Sequence, residues 1–207
     1  MRSLLAPERL LAAYAAGIFP MADDAGRIYW LAPDPRAVIP LEGFKTSRSL
    51  RSARRRGVFA LTINRAFADV IQACADRPEG TWISREIYNA YCKLHELGFA
   101  HSVETWEGGR LAGGLYGVSI GGVFFGESMF HRVTDASKVA MMALVERMRE
   151  RGLTLLDVQF LTEHLRQFGA VEAGRMEYAR RLRDALRRPC SFVDAPGAIT
   201  LDPPQSR

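Results

Sequence analysis

Cysteine is scarce in this chain. Its three cysteines, Cys74, Cys92 and Cys190, are odd in number and widely spaced, which argues against a disulfide framework. Cys92 and His95 lie three apart on an expected helix, but nothing else completes a metal-ligand set at a recognisable spacing, so no metal is expected. No apolar run reaches the ~18–20 residues that a membrane span needs, so no membrane partner is expected. The opening Met1-Arg2-Ser3-Leu4-Leu5-Ala6-Pro7 lacks a long apolar stretch with a small-residue cleavage site. The cytoplasm is therefore the expected compartment. Nucleotide and hydrolase signatures are missing too. Gly113, Gly114, Gly117, Gly121 and Gly122 are not followed by Gly-Lys-Ser/Thr, and turn geometry or close packing is their default role. Gly126-Glu127-Ser128-Met129-Phe130 lacks the second glycine of a serine nucleophile elbow. Lysine is also rare: Lys45, Lys93 and Lys138 are the only lysines among 28 basic residues.

The 207 residues, 48% hydrophobic and 25% charged, are enough for one large domain or two small ones with a real core. Positive charge is concentrated. From Arg27 to Arg65 nine basic residues face only Asp34 and Glu42, a net +7 against +5 for the whole chain. Such a block suits a polyanion such as nucleic acid, and arginine suits bidentate phosphate contacts. The competing reading is a solvated face. Arg48, Arg51 and Arg55 share one side of a short helix expected over Ser47–Arg56.

Other helices are expected at Pro7–Ala16, Arg65–Ala75, from Ser84 to Gly98, Ala136–Arg151 and Met176–Arg188. Strands are expected at Val58–Ile63, Ala100–Trp106, Arg110–Ser119, Val123–Phe130 and Thr154–Phe160. The proline- and aromatic-rich stretch from Ile18 to Pro40 is expected to be an ordered loop holding Trp30. The tail after Pro189 is expected to be loop. A strand meander leading through a helix to a further strand implies an α+β fold with a mixed, largely antiparallel sheet.

Acid and amide side chains stand inside apolar runs. Glu127, Asp157 and Gln159 are each expected to be buried, which costs several kcal/mol for an unpaired carboxylate. Alternation along a strand places Asp157 and Gln159 on one face and Leu156, Val158 and Phe160 on the other. The pair can form a relay toward a substrate amine, with Glu127 beside it if the strands are neighbours. The alternative is that both acids form structural ion pairs with Arg or Lys. Phe124, Met141, Leu144 and Met148 recur on one strand face and one helix face, as a flexible apolar pocket would.

Six motifs together carry a resemblance. They are Tyr14-x-x-Gly17-Ile18-Phe19-Pro20, Pro33-Asp34-Pro35-Arg36, Glu79-Gly80-Thr81-Trp82-Ile83, Leu94-His95-Glu96-Leu97-Gly98-x-Ala100-His101-Ser102, Gly126-Glu127-Ser128-Met129-Phe130 and Asp157-x-Gln159. In this order, from about Leu4 to Arg187, the chain resembles the leucyl/phenylalanyl-tRNA–protein transferase family. The resemblance implies an aminoacyltransferase that moves Leu, Phe or Met from aminoacyl-tRNA to the N-terminal amine of proteins beginning with Arg or Lys. The product would be a degradation signal. It implies a small N-terminal domain, drawn at residues 1–62, and a GNAT-like catalytic domain, residues 63–207, working as a monomer without cofactor. Asp157 and Gln159 match the pair that handles the acceptor amine, and Glu127 a pocket acid. Trp82 and Tyr91 match aromatics near the tRNA acceptor arm or the peptide, and either Trp30 or Leu31 meets the terminal adenosine. Phe124 matches a wall of the aminoacyl pocket, completed by Leu115, Met141, Leu144, Met148 and Leu156. Arg48, Arg51, Arg54, Arg55 and Arg56 are the residues expected on the tRNA backbone. An acetyl-CoA-dependent acetyltransferase would need an Arg/Gln-x-x-Gly-x-Gly/Ala loop, which Arg110-x-x-Gly113-Gly114-Leu115 fails at its last position. A noncatalytic RNA-binding module would leave Asp157 and Gln159 without a use.

Overall fold

Apolar patterning and capping place most of the elements. The computed structural model describes residues 4–78, 80–194 and 199–201. The helices are α1 (Pro7–Ala15), α2 (Arg48–Arg55), α3 (Phe67–Ala75), α4 (Arg85–Glu96), α5 (Ala136–Glu150), α6 (Glu163–Arg166) and α7 (Arg175–Leu186). The strands are β1 (Phe19–Ala22), β2 (Ile28–Leu31), β3 (Arg36–Ile39), β4 (Ala60–Ile63), β5 (Ala100–Glu107), β6 (Arg110–Ile120), β7 (Val123–His131), β8 (Leu155–Gln159), β9 (Val171–Ala173) and β10 (Ile199–Leu201). Pro7 opens α1, where its missing N–H costs nothing, and Leu10 and Tyr14, one turn apart, are its buried face. Ser47 Oγ accepts from Leu50 N and Ser84 Oγ from Ile87 N, so both serines cap the helices they precede.

Strands β1 and β2 form a separate antiparallel hairpin. The others form one sheet in the order β10-β4-β5-β6-β7-β8-β3-β9, antiparallel except for the parallel pair β7–β8. The fold is thus α+β with a mixed sheet. Each sheet face carries its own core. Leu115, Phe124 and Leu156 lie in one apolar cluster with the inner side of α5. Their neighbours Tyr116, Phe125 and Leu155 lie in another with residues of α1, α3, α4 and α7. Burial on both faces explains why β6 and the first half of β7 read as unbroken apolar runs.

Three expectations change here. The stretch after Ile18 is not loop throughout: it supplies β1, β2 and β3, with Pro20 inside β1 and Pro33, Pro35 and Pro40 outside the strands. The domain boundary drawn between residues 62 and 63 falls inside β4. Strand β3, also from the first 62 residues, lies between β8 and β9, so the main sheet does not divide there. The tail after Pro189 includes β10, antiparallel to β4; residues 195–198 and 202–207 lie outside the described residues, as does Glu79 of the third motif.

Candidate functional site

Two β-bulges face each other across the pair β7–β8. On β7, Tyr116 is opposite Ser128 and Gly117 opposite Gly126, which leaves Glu127 as the extra residue. On β8, Ala37 is opposite Gln159 and Val38 opposite Asp157, which leaves Val158 as the extra residue. A bulge bends its strand and re-aims the side chain it carries. Gly117 is required beside the first bulge, since a Cβ there would lie 2.1 Å from the Phe125 carbonyl oxygen. Strands β7 and β8 pair only over Val123–Phe125 and Leu155–Asp157. Beyond that point their residues line a cavity of about 870 Å³.

The cavity takes residues from both faces of the sheet. On the α5 face it is lined by Leu115, Met129, Met141, Leu144, Val158 and Leu165. On the other it meets Ala73, Asp76, Arg77, Trp82 and Tyr116. Glu127 and Gln159 border it, and Gln159 Nε2 donates to Glu127 Oε1 at 3.1 Å. Tyr91 donates its hydroxyl proton to Glu127 Oε2 at 3.3 Å. Burial pushes the Glu127 carboxyl up to about 8, and the nearby Asp157 charge adds to this. Hydrogen bonds from Tyr14 and Tyr91 and the Arg36 charge act in the opposite direction.

Asp157 does not border the cavity. It is fully buried, and Arg36 grips both of its oxygens: Nε at 2.9 and 3.1 Å, Nη2 at 2.8 Å. Tyr178 donates to Oδ2 at 2.6 Å and the Gln159 backbone N–H to Oδ1 at 2.9 Å. Arg36 in turn donates to Gly17 O at 3.0 Å and lies between the rings of Phe19 and Tyr178, about 4.8 and 4.9 Å from their centroids. The expected relay from Asp157 to the Gln159 amide is corrected accordingly. For Asp157 the ion-pair alternative is the observed one, and the amide turns to Glu127 instead. The period-two argument fails because Val158 is a bulge and Gln159 has φ +58°, outside extended geometry.

Other expected site residues separate. Leu115, Met141 and Leu144 are on the cavity wall, whereas Phe124, Met148 and Leu156 are fully buried in the core behind it. Phe124 packs on Phe192 with centroids 5.0 Å apart. Periodicity named the correct helix face but not the depth at which the cavity stops. Met129, Val158 and Leu165 were missed; Met129 stands directly opposite Leu115, a pairing that only sheet register reveals. Trp82 borders the cavity, but Tyr91 is fully buried behind Glu127. Trp30 and Leu31 are on the β1–β2 hairpin and are not part of the cavity wall. In the basic helix, Arg48, Arg51, Arg55 and Arg56 are exposed. Arg54 is not available to a nucleic acid: it is buried, and its Nη2 is 3.0 Å from Glu146 Oε2, tying α2 to α5.

The cavity is thus an apolar chamber bordered by a hydrogen-bonded acid–amide pair, Glu127 and Gln159. The chain belongs to the leucyl/phenylalanyl-tRNA–protein transferase family. Residues 38–183 match the family described as "Leucyl/phenylalanyl-tRNA protein transferase", and residues 4–34 match its N-terminal domain. A leucyl/phenylalanyl-tRNA–protein transferase from Gloeobacter violaceus is 56% identical over 189 residues, 91% of this chain and 97% of the relative. One from Rhodopseudomonas palustris is 50% identical over 207 residues, 98% of this chain and 90% of the relative. Among solved structures, L-PGS from Bacillus licheniformis aligns with a TM-score of 0.41 at 14% identity, over 78% of this chain and 55% of that one. No helix among the described residues is long and apolar enough to cross a membrane.

Proposed function

We propose that this enzyme takes Leu or Phe, and also Met, from aminoacyl-tRNA and joins it to the α-amine of a protein that begins with Arg or Lys, in the cytoplasm and as a monomer, so marking that protein for degradation. The observation that supports this best is the cavity between β7 and β8, apolar on its α5 side and bordered by Glu127 and Gln159. The meander β5–β6–β7, running through α5 into β8, supports a GNAT-like reading of the sheet.

The reaction is an aminolysis. The acceptor nitrogen attacks the ester carbonyl, a C–N bond forms, the ester C–O bond breaks, and the terminal adenosine leaves as its hydroxyl. The proton lost by nitrogen balances the one gained by that oxygen. The ester is already activated, so the protein's task is positioning and proton handling. Glu127, at about 8, matches a peptide α-ammonium at roughly 7.7–8.0, which makes proton exchange between them nearly thermoneutral. The Gln159 Nε2 group is committed to Glu127, so its carbonyl oxygen is the atom left to accept from the amine. Asp157 acts from behind, holding the Gln159 backbone N–H.

Labelled leucyl-tRNA incubated with a peptide bearing N-terminal Arg should yield labelled peptide; tRNA bound without transfer would overturn the reading. Selection among donors should follow shape. Leu, Phe and Met fit an apolar wall with Met129 and Met141 in it, while Val and Ile crowd the ester and should transfer poorly. Leu144→Trp narrows that wall and should slow Phe transfer more than Leu transfer. An unchanged Leu-to-Phe ratio with a lowered melting temperature would make Leu144 ordinary core.

The exposed face of α2 supports a role in gripping the tRNA backbone. Reversing Arg48, Arg51 and Arg55 to Glu should weaken tRNA binding and flatten its salt dependence by about one unit of slope per lost phosphate contact. A short aminoacyl-adenosine donor should be used by this variant as well as by the parent. Unchanged tRNA affinity would leave the block a solvated face.

A further inference from the structure

The partners of Glu127 extend away from the cavity. Behind its carboxyl, Tyr91 of α4 and Tyr14 of α1 are fully buried, and their hydroxyls are hydrogen-bonded to each other. Neither residue borders the cavity. Their rings are packed as well: Tyr14 is 4.9 Å from Phe125, and Tyr91 meets Tyr116 edge-on at 5.7 Å. Burying two hydroxyls is costly unless each is bonded. Among the described residues these two bond only each other and Glu127.

We propose that Tyr14 and Tyr91 are positioning residues for Glu127, forming a two-phenol chain that gives the bulge carboxyl a hydrogen-bond partner in both of its protonation states. The proposal rests on the reading that Glu127 handles the proton of the acceptor amine. Each hydroxyl has one proton to donate. When Glu127 is ionised, Tyr14 donates to Tyr91 and Tyr91 donates to Oε2. When Glu127 is protonated, Gln159 Nε2 already occupies Oε1, so the carboxyl proton sits on Oε2 and is donated to Tyr91. Tyr91 then donates to Tyr14. Only hydroxyl rotation separates the two arrangements; no heavy atom moves. The chain also crosses from α1, in the N-terminal part, to the bulge in β7, so it couples that part to the site.

The titratable and charged groups facing Glu127 are Tyr14 from α1, Tyr91 from α4, Tyr116 from β6, Arg36 from β3 and Asp157 from β8. Cys74 of α3 and Arg77, two residues beyond that helix, face Tyr116. Burial and Asp157 favour the neutral acid, while the two phenols and Arg36 favour the ionised one. Deleting a phenolic hydroxyl therefore has a definite sign.

The test is a carboxyl titration of the full chain labelled with ¹³C at the glutamate side-chain carboxyls, Glu127 being the resonance lost in Glu127→Gln. Tyr91→Phe should move its midpoint upward by about one pH unit or more, since a hydrogen bond to a charged group is lost. Tyr14→Phe should also move it upward, because the second phenol that favours the ionised carboxylate is lost. Tyr88→Phe, on the same helix with its ring over Arg85, should leave it unmoved. The alkaline shift should recur in the pH–rate profile for leucyl transfer. A folded Tyr91→Phe protein with an unmoved or lowered midpoint overturns the proposal. An unmoved midpoint in Tyr14→Phe removes the second link, and decides the matter alone if Tyr91→Phe does not fold. A merely structural role would lower melting temperature without moving the midpoint. The titration does not depend on turnover: a parent protein that fails to transfer leucine refutes the functional reading, whereas an unmoved midpoint in an active protein refutes only the phenol chain.

Discussion

Glu127→Gln should lower leucyl transfer by roughly 10²–10⁴-fold, the range for a lost proton-handling group, with affinity for charged tRNA little changed. The same change should stabilise the protein, increasingly so as pH rises. In the folded protein Glu127 titrates at about 8, against an ordinary value of 4.5. Between these values the folded chain holds a proton that the unfolded chain has released, so this group's contribution falls as pH increases through that window. It is fully present below about 4.5 and lost above about 8. A glutamine is neutral throughout and escapes the loss. Melting temperatures of both proteins at pH 5 and pH 9 check this: the advantage of Glu127→Gln should grow between them. A constant difference would mean that Glu127 ionises normally, and full activity would remove it from the chemistry. Loss of activity together with gain of stability is expected where a site holds an acid at a cost to the fold.

Asp157→Asn should destabilise the protein by about 3–5 kcal/mol, the range for breaking one side of a buried ion pair. The reason lies in Arg36, whose guanidinium would keep its burial and lose its carboxylate. Arg36→Met should be similarly damaging alone. The double variant Arg36→Met/Asp157→Leu should cost less than the two single changes added together, since no charge is then stranded. Denaturant unfolding of the three proteins measures the coupling. A purely catalytic role for Asp157 predicts the opposite: Asp157→Asn would melt like the parent and lose turnover alone.

Much of the fold is legible in the residues because it depends on local rules. Pro7 at a helix start, Ser47 and Ser84 as caps, and Glu107-Gly108-Gly109 and Ile120-Gly121-Gly122 between strands all act within a few residues of themselves. Strands β1 to β3 were not legible. Proline argues against regular structure locally, yet Pro20 stands inside β1 opposite Trp30, and Pro40 falls just after the end of β3. Strand β3 is the clearest case, since Arg36–Ile39 is held between β8 and β9, more than 100 residues away.

The residues alone establish an α+β fold, the concentration of basic residues between Arg27 and Arg65, the place of Glu127, Asp157 and Gln159 within strands, and the family. Only the tertiary structure decided how those three divide their work. Asp157 faces Arg36, Glu127 faces the cavity, and Gln159 joins Glu127 through its side chain and Asp157 through its backbone. Side-chain alternation predicts direction only while a strand stays regular. Two bulges and one left-handed residue break that regularity here, and they arise from pairing register between strands, a property that no single segment contains.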